Sequence, residues 1–254
     1  MKKKWIYIVI VLASFVPAFT ELPIDPQESY KAIAEVMAKP IIYQFSYLFP
    51  IAKIMLILLF ICPILWKNKC SKLYSIMAII LLFPVVILQN ISKETTYGFT
   101  VLIGNIIAQM IIILLFLWEI KVNKNNFSTY QFKTINIITL VLAFIAFWMP
   151  SKDGFMHLNV KDIFFNEAGL TFCMIIPIII ASLLLYYKTI NLTLLKIISF
   201  IGIYYGLLNL ITWFVLNPIF WWMGILHLPL LINSLIGFII SIKEEKYRKL
   251  NIST

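Results

Sequence analysis

Proton transfer near neutral pH falls in this sequence to two histidines, His157 and His227, which lie far apart along the chain. His227 sits in an apolar run, where an imidazole could serve as an acid or base, with Glu167 and His157 as its helpers. No serine or cysteine stands at a spacing that marks a nucleophile, so no residue is assigned a catalytic role. The three cysteines, Cys62, Cys70 and Cys173, form no C-x-x-C pair. Structural zinc wants four Cys or His ligands in paired spacing, so no metal site, cofactor or disulfide framework is expected. The Walker loop, H-E-x-x-H and G-x-S-x-G are all absent.

Uncharged polar residues inside apolar runs carry more information. A polar group in hydrocarbon is costly and therefore faces protein or a water-filled cavity. Asn105 and Gln109 are one helical turn apart and share a face. His227 and Ser234 share another, from which Asn233 is rotated away. Together with Glu167 these residues are the candidate polar pocket: Asn105, Gln109, Glu167, His227 and Ser234. A second set, Ser199, Gly202, Gly206, Asn209 and Trp213, recurs every three or four residues and contains a G-x-x-x-G. Small residues let helix backbones approach closely, so Ser199, Gly202, Gly206 and Asn209 read as a helix-packing seam, with the Asn209 amide bonding across it.

The elements that must hold these residues follow from composition. Of the chain, 62% is hydrophobic and only 13% charged, against about 25% charged in soluble domains. Lipid absorbs such a surface, and about 20 apolar residues cross it as a helix. The expectation is an all-α integral membrane protein, a bundle of about eight transmembrane helices: Trp5–Phe19, Phe45–Trp66, Leu73–Leu88, Tyr97–Trp118, Ile135–Met149, Leu170–Tyr187, Leu194–Leu216 and Phe220–Ile240. Asn217-Pro218 separates the last two, because proline cannot continue the preceding ladder. Pro50, Pro63, Pro84, Pro177 and Pro229 permit kinks within or near the crossings. The basic start, Lys2-Lys3-Lys4, followed by an apolar run, resembles a secretory signal without an evident cleavage site. It reads as an uncleaved first helix.

The net charge of +10 would invite nucleic acid in a soluble protein. Here the lysines sit at helix ends and in tails, so nucleic acid is not an expected partner. Most of the 21 Lys and Arg residues fall on one side of the bundle, at 2–4, 67–72, 121–133, 188–196 and 243–249, and most acids fall on the other. The positive-inside rule then places both termini in the cytoplasm, N-in and C-in, and the Lys-, Ile- and Asn-rich composition suggests a microbial plasma membrane. Lys53 would snorkel its amine to the outer headgroups, with Glu167 as a partner at the same depth.

Two halves look alike in plan: 1–120, four crossings, and 135–254, four crossings and a basic tail, joined by a cytoplasmic linker at 121–134. Four crossings restore the orientation, so this would be a parallel repeat. In the matched plan Asn105 stands opposite His227. An amphipathic helix near 27–38, with Tyr30, Ile33, Ala34 and Met37 as its apolar face, would lie on the outer surface or cap the bundle. Two like halves and kink-prone helices point to a transport component, either a small permease or the membrane subunit of a larger transporter served by a cytoplasmic ATPase on another chain. No crossing centre holds a carboxylate or arginine, so ion coupling through one is not expected. Two readings stand beside it. One is a non-catalytic interaction or protective protein, bound through the seam to another membrane subunit. The other is an intramembrane enzyme that acts on a lipid-linked substrate through His227.

Overall fold

The computed structural model describes residues 5–13, 15–25 and 29–252. Lys2–Lys4, on which the signal-like start depends, lie outside the described residues. The chain is mostly helical. Its helices are α1 (Trp5–Ala13), α2 (Ser29–Ala38), α3 (Leu48–Trp66), α4 (Ser71–Leu88), α5 (Ile103–Val122), α6 (Thr134–Trp148), α7 (Asp162–Phe165), α8 (Phe172–Leu184), α9 (Leu192–Ile211) and α10 (Trp221–Ile252).

By length and composition, four helical runs can cross a membrane: Leu48–Leu88, Ile103–Val122, Leu192–Leu216 and Pro218–Asn251. A fifth arises if the pair Asp162–Leu170 and Phe172–Leu184, bent by 97°, is one broken span. This corrects the expectation of eight clear crossings, and the reasons are local. The 41-residue run Leu48–Leu88 is continuous because the tight turn Lys67–Cys70 joins α3 to α4 without a helical break. It is nonetheless folded back at Lys67, whose φ is +48°. Tyr43, just before α3, bonds Thr171, and Gln89, just after α4, bonds Phe172, so both ends of the run meet the same two-residue step. The remaining apolar helices are short. α1 has nine described residues and α8 has 13. α6 has 15 and spans about 22 Å at 1.5 Å per residue, less than the roughly 30 Å of hydrocarbon.

The loops gather at two ends. At one, Ser71 bonds Asn125, Asn68 bonds Phe127, Thr189 bonds Asn126, and Arg248 bonds the carbonyls of Tyr187 and Ile190. Lys67, Lys121, Lys124, Lys133, Lys188 and Lys196 lie on these segments, so this is the basic end. At the other, Ser92 bonds Lys39 O, and Trp222 bonds Pro150 O. Of the expected linker at 121–134, residues 123–133 are non-helical and are held against the bundle by the buried Asn125 and Phe127.

The all-α expectation also misses two small sheets. β1 (Phe19–Thr20), β2 (Ile91–Thr95) and β3 (Gly98–Val101) form an antiparallel sheet in the order β1–β3–β2. β4 (Ser151–Lys152) pairs with β5 (Phe155–Met156). The expected crossing from Tyr97 therefore begins at Ile103. Gly98, at φ +72°, turns the hairpin, and the β-branched Thr95, Thr100 and Val101 suit strands. α2 packs on this hairpin through Ala32 and Val36, both fully buried, and through Glu35, which accepts from Thr96 N at 2.7 Å. Of the expected apolar face, Tyr30 and Ile33 are exposed on the side away from the hairpin-packed Ala32 and Val36.

α8 is the core. All 13 of its residues are buried, and it touches α3, α4, α6, α9 and α10. A helix apolar on every side belongs inside a bundle. Asn233 of α10 ties this centre together, donating to Thr139 O of α6 at 3.0 Å and Pro177 O of α8 at 3.2 Å.

Candidate functional site

The break before α8 gathers buried polar groups from several elements. Residues Glu167–Leu170 form one tight turn, Thr171 is extended (φ −114°, ψ 118°), and α8 leaves at 97° to the preceding segment. A change of direction this sharp strands backbone groups that a continuous helix would pair. Side chains supply the partners. Gln89 Oε1 accepts from Phe172 N at 2.8 Å. Thr171 Oγ1 donates to Glu167 O at 2.9 Å. Its single proton is thereby used, so at 2.8 Å the Tyr43 hydroxyl donates to Thr171 Oγ1.

Around this break lies a layer of uncharged polar groups from α4, α5, α8 and α9. Asn90 Nδ2 donates to Val86 O and Gln109 Oε1, each at 2.9 Å. Tyr205 OH donates to Asn105 Oδ1 at 3.2 Å, and its ring meets Phe172 edge-on at 5.6 Å. Asn209 Nδ2 donates to Tyr205 O at 2.8 Å and reaches Cys173 Sγ at 3.5 Å. Gln89, Asn90 and Gln109 are buried, and among the described residues Gln89 Nε2 and Asn90 Oδ1 have no partner within hydrogen-bond geometry. An unpaired buried donor and acceptor cost free energy unless something fills them. The layer can therefore offer hydrogen bonds to a neutral or zwitterionic solute. Burial pushes the hydroxyl of Tyr43, which lies outside the spans, well above the usual phenol range, so it stays a donor.

A charged patch adjoins it. Lys53 is fully buried rather than snorkelled to the headgroups, which corrects the expectation. Its amine donates to Phe147 O and lies 4.6 Å from the Phe147 ring centre. Asn166 Nδ2 donates to the next two carbonyls, Trp148 O at 2.7 Å and Met149 O at 3.0 Å. The final carbonyls of α6 have no partner within the helix and carry its negative pole, so a cation and an amide suit them. Glu167 and Lys53 attract each other electrostatically, but Glu167 makes no ion pair among the described residues. Gly169 is needed here because a Cβ would lie 3.0 Å from Ala52 Cβ and 3.1 Å from Lys53 N.

The sequence candidates divide accordingly. Asn105, Gln109 and Asn209 belong to the layer, and Glu167 borders it. His227 and Ser234 do not join them. His227 Nδ1 is 2.6 Å from Met223 O, and its ring faces Trp213 at 6.4 Å. His157 pairs with Asp162 at 3.1 Å in its own loop. No carboxylate or nucleophile contacts His227 among the described residues. Ser199, Gly202 and Gly206 line one face of α9 and meet Gly237, Ser234 and Leu231 of α10 in antiparallel register. The seam is therefore internal to the chain. Ser234 Oγ has no partner among the described residues and sits where a Cβ on Gly202 would fall.

Sequence reasoning missed Gln89, Asn90, Tyr43 and Thr171, which flank helices rather than lie within them. It also missed Glu119, which is buried at the basic end and accepts from Asn125 N and Asn191 Nδ2, each at 2.6 Å. The polar stretch Gln89-Asn90 after an apolar run was the available signal for the first pair. No protein-family model, curated protein or solved structure matches the chain.

Proposed function

We propose that this is a multi-pass plasma-membrane transport component whose solute-binding centre is the polar layer at the break before α8. The observation that carries the reading is a sharply broken helix whose backbone is surrounded by amides and hydroxyls from the end of α4, from α5 and α9 and from the segment before α3, with Gln89 Nε2 and Asn90 Oδ1 unfilled among the described residues. Broken helices with such linings hold substrates in secondary transporters, because irregular backbone is tolerated in a membrane where it is enclosed by protein or lines a cavity. In this reading α3 and α4 are separate crossings, the short apolar helices complete about eight, and the basic end faces the cytoplasm with both termini. The polar layer then opens toward the outer face. Partners are the bilayer and, for a subunit, a second membrane chain or a cytoplasmic ATPase. The isolation of His227 from any acid or nucleophile speaks against the enzyme reading, and the internal seam removes the contact on which an interaction protein would rely.

Cys173 is a native reporter of this centre. In a Cys62→Ala, Cys70→Ala background, a membrane-impermeant thiol reagent should label Cys173 from outside intact cells, and Asn209→Leu should change the rate. Labelling only after denaturation in SDS would show a sealed core and overturn the proposal. Purification in mild detergent with mass spectrometry separates the two forms: a stoichiometric ATPase identifies a subunit, and a lone chain identifies a permease.

A further inference from the structure

At the basic end, a groove of about 270 Å³ opens on the flank of the bundle between α3, α6 and the linker. Phe60 and Ile64 form one wall and Leu140 the other, with Tyr186 and the fully buried Phe127 at its base. Pro63 lies in the α3 wall, and Lys67, at the turn into α4, stands at the mouth beside the exposed Tyr130 and Phe132. The volume is just under the roughly 300–1,000 Å³ of sites for drug-sized ligands, so it suits a single narrow chain. The linker wall is fixed, since Asn68 Oδ1 accepts from Phe127 N at 2.6 Å and Thr189 Oγ1 donates to Asn126 O at 2.7 Å.

The charge at the mouth is one-sided. The lining residues include no acid. The three acids of this end are engaged elsewhere: Glu119 is held by Asn125 and Asn191, Glu244 by Arg248, and Glu245 by Lys196 and Lys249. Lys67 is exposed and has no ion-pair partner among the described residues. Lys133 lies close by over the Tyr187 ring at 5.9 Å.

We infer that this groove binds one anionic phospholipid of the leaflet at the basic end, its acyl chain between Phe60, Ile64 and Leu140 and its phosphate at Lys67. Apolar walls exclude a polar solute, and the unpaired lysine at headgroup depth selects negative charge over a zwitterion. The exposed Tyr130 is an amphipathic residue suited to that interface. The inference requires only that the chain sits in a membrane and stands apart from the transport reading.

The test is native mass spectrometry of the delipidated full chain titrated with phosphatidylglycerol or phosphatidylcholine of matched acyl chains. One tightly retained phosphatidylglycerol is expected, with phosphatidylcholine weaker. Lys67→Gln, at an exposed position, should weaken the phosphatidylglycerol step about fivefold, the equivalent of about 1 kcal/mol per lysine at an anionic surface. It should weaken phosphatidylcholine, which carries the same phosphate but no net charge, by less. Lys246→Gln, on the tail, should change neither. Leu140→Trp should reduce retention of both lipids by filling the groove, and Ile64→Trp provides the same test if that variant fails to fold. Equal binding of the two lipids by the native chain, or an unaltered titration for Lys67→Gln, would overturn the inference and leave only annular lipid.

Discussion

Substitution of Gly206 by alanine should destabilise the chain, although alanine is the better helix former. A Cβ at Gly206 would lie 2.9 Å from Leu231 Cβ, 3.0 Å from Leu231 Cα and 3.2 Å from Leu231 N. Optimal carbon contacts are about 3.5–4.0 Å, and two of these three partners are backbone, so α9 and α10 must part by about 0.5–1 Å. A gap of that size forfeits about a quarter to a half of each dispersion contact along the seam. Overpacking of this kind costs about 1–3 kcal/mol, and replacing helical glycine by alanine returns about 1 kcal/mol. The net loss is about 0–2 kcal/mol, or up to roughly 4–8 °C in Tm for a chain of this size. Gly202 behaves differently, because its Cβ would first strike Ser234 Oγ, a hydroxyl without a partner. Ser234→Ala alone should be nearly neutral, and the Gly202→Ala, Ser234→Ala pair should be more stable than the two single losses predict, by about 1 kcal/mol. Tryptophan-fluorescence melts in mild detergent read all four variants, and size-exclusion chromatography should show no change of assembly. A stabilising Gly206→Ala, additivity at the 202/234 pair, or loss of a complex on Gly206→Leu would refute an internal seam.

Asn166→Ala should cost about 2–3 kcal/mol in the same melts. It leaves Trp148 O without its partner and deprives Ala168 N of an acceptor, while Met149 O keeps Ser151 N at 2.8 Å. A change below about 0.5 kcal/mol would mean that water reaches the end of α6. At the basic end, hydrogen bonds from Lys196 and Lys249 hold the Glu245 carboxyl well down, at about 2. Its stabilising contribution is thus present above the ordinary carboxylate range, near pH 4.5, and fades as pH falls from there toward 2. The group is partly exposed, so the contribution is small and screened by salt. The Tm difference between native chain and Glu245→Gln should narrow between pH 6 and pH 3, and a constant difference would refute the clamp.

What could be read from the sequence follows the strength of the physical signal. Apolar runs reveal where lipid-soluble helices lie, and the lysines reveal which loops share an end, because both effects are local and repeated. The helical seam was legible for the same reason: Ser199, Gly202 and Gly206 recur at helical spacing. The hairpin at Ile91–Val101 was not, since its apolar, β-branched residues run into the helix that follows, and only Gly98 marks the turn. The packing of α2 on the hairpin was not legible either, since Glu35 and Thr96, which bond there, are distant in sequence. The polar layer was half visible. Asn105, Gln109 and Asn209 lie inside apolar runs and stand out, whereas Gln89, Asn90, Tyr43 and Thr171 sit at ends, where polar residues are ordinary.

Lys53 shows why depth alone misleads. A lysine a few residues inside a crossing can reach the headgroups, and that is the cheaper solution for an isolated helix. Here α6 ends beside it, and three successive carbonyls at that helix end point into protein rather than water. A donor is needed there whether or not the membrane surface is within reach, and the negative pole of α6 favours a positive one. Lys53 and Asn166 together end α6, Gly169 allows the Asn166–Thr171 segment to lie against α3, and Thr171 passes the connection to Tyr43. The charged patch and the uncharged layer are thus two sides of one break. The patch anchors the C-terminal end of α6, and the layer keeps the Gln89 amide and the Asn90 carbonyl, unpartnered among the described residues, beside the start of α8. A solute that engaged those atoms would meet the one place in the core where helix direction changes. Binding there could bias the angle between α8 and its preceding segment, which a continuous helix would not allow.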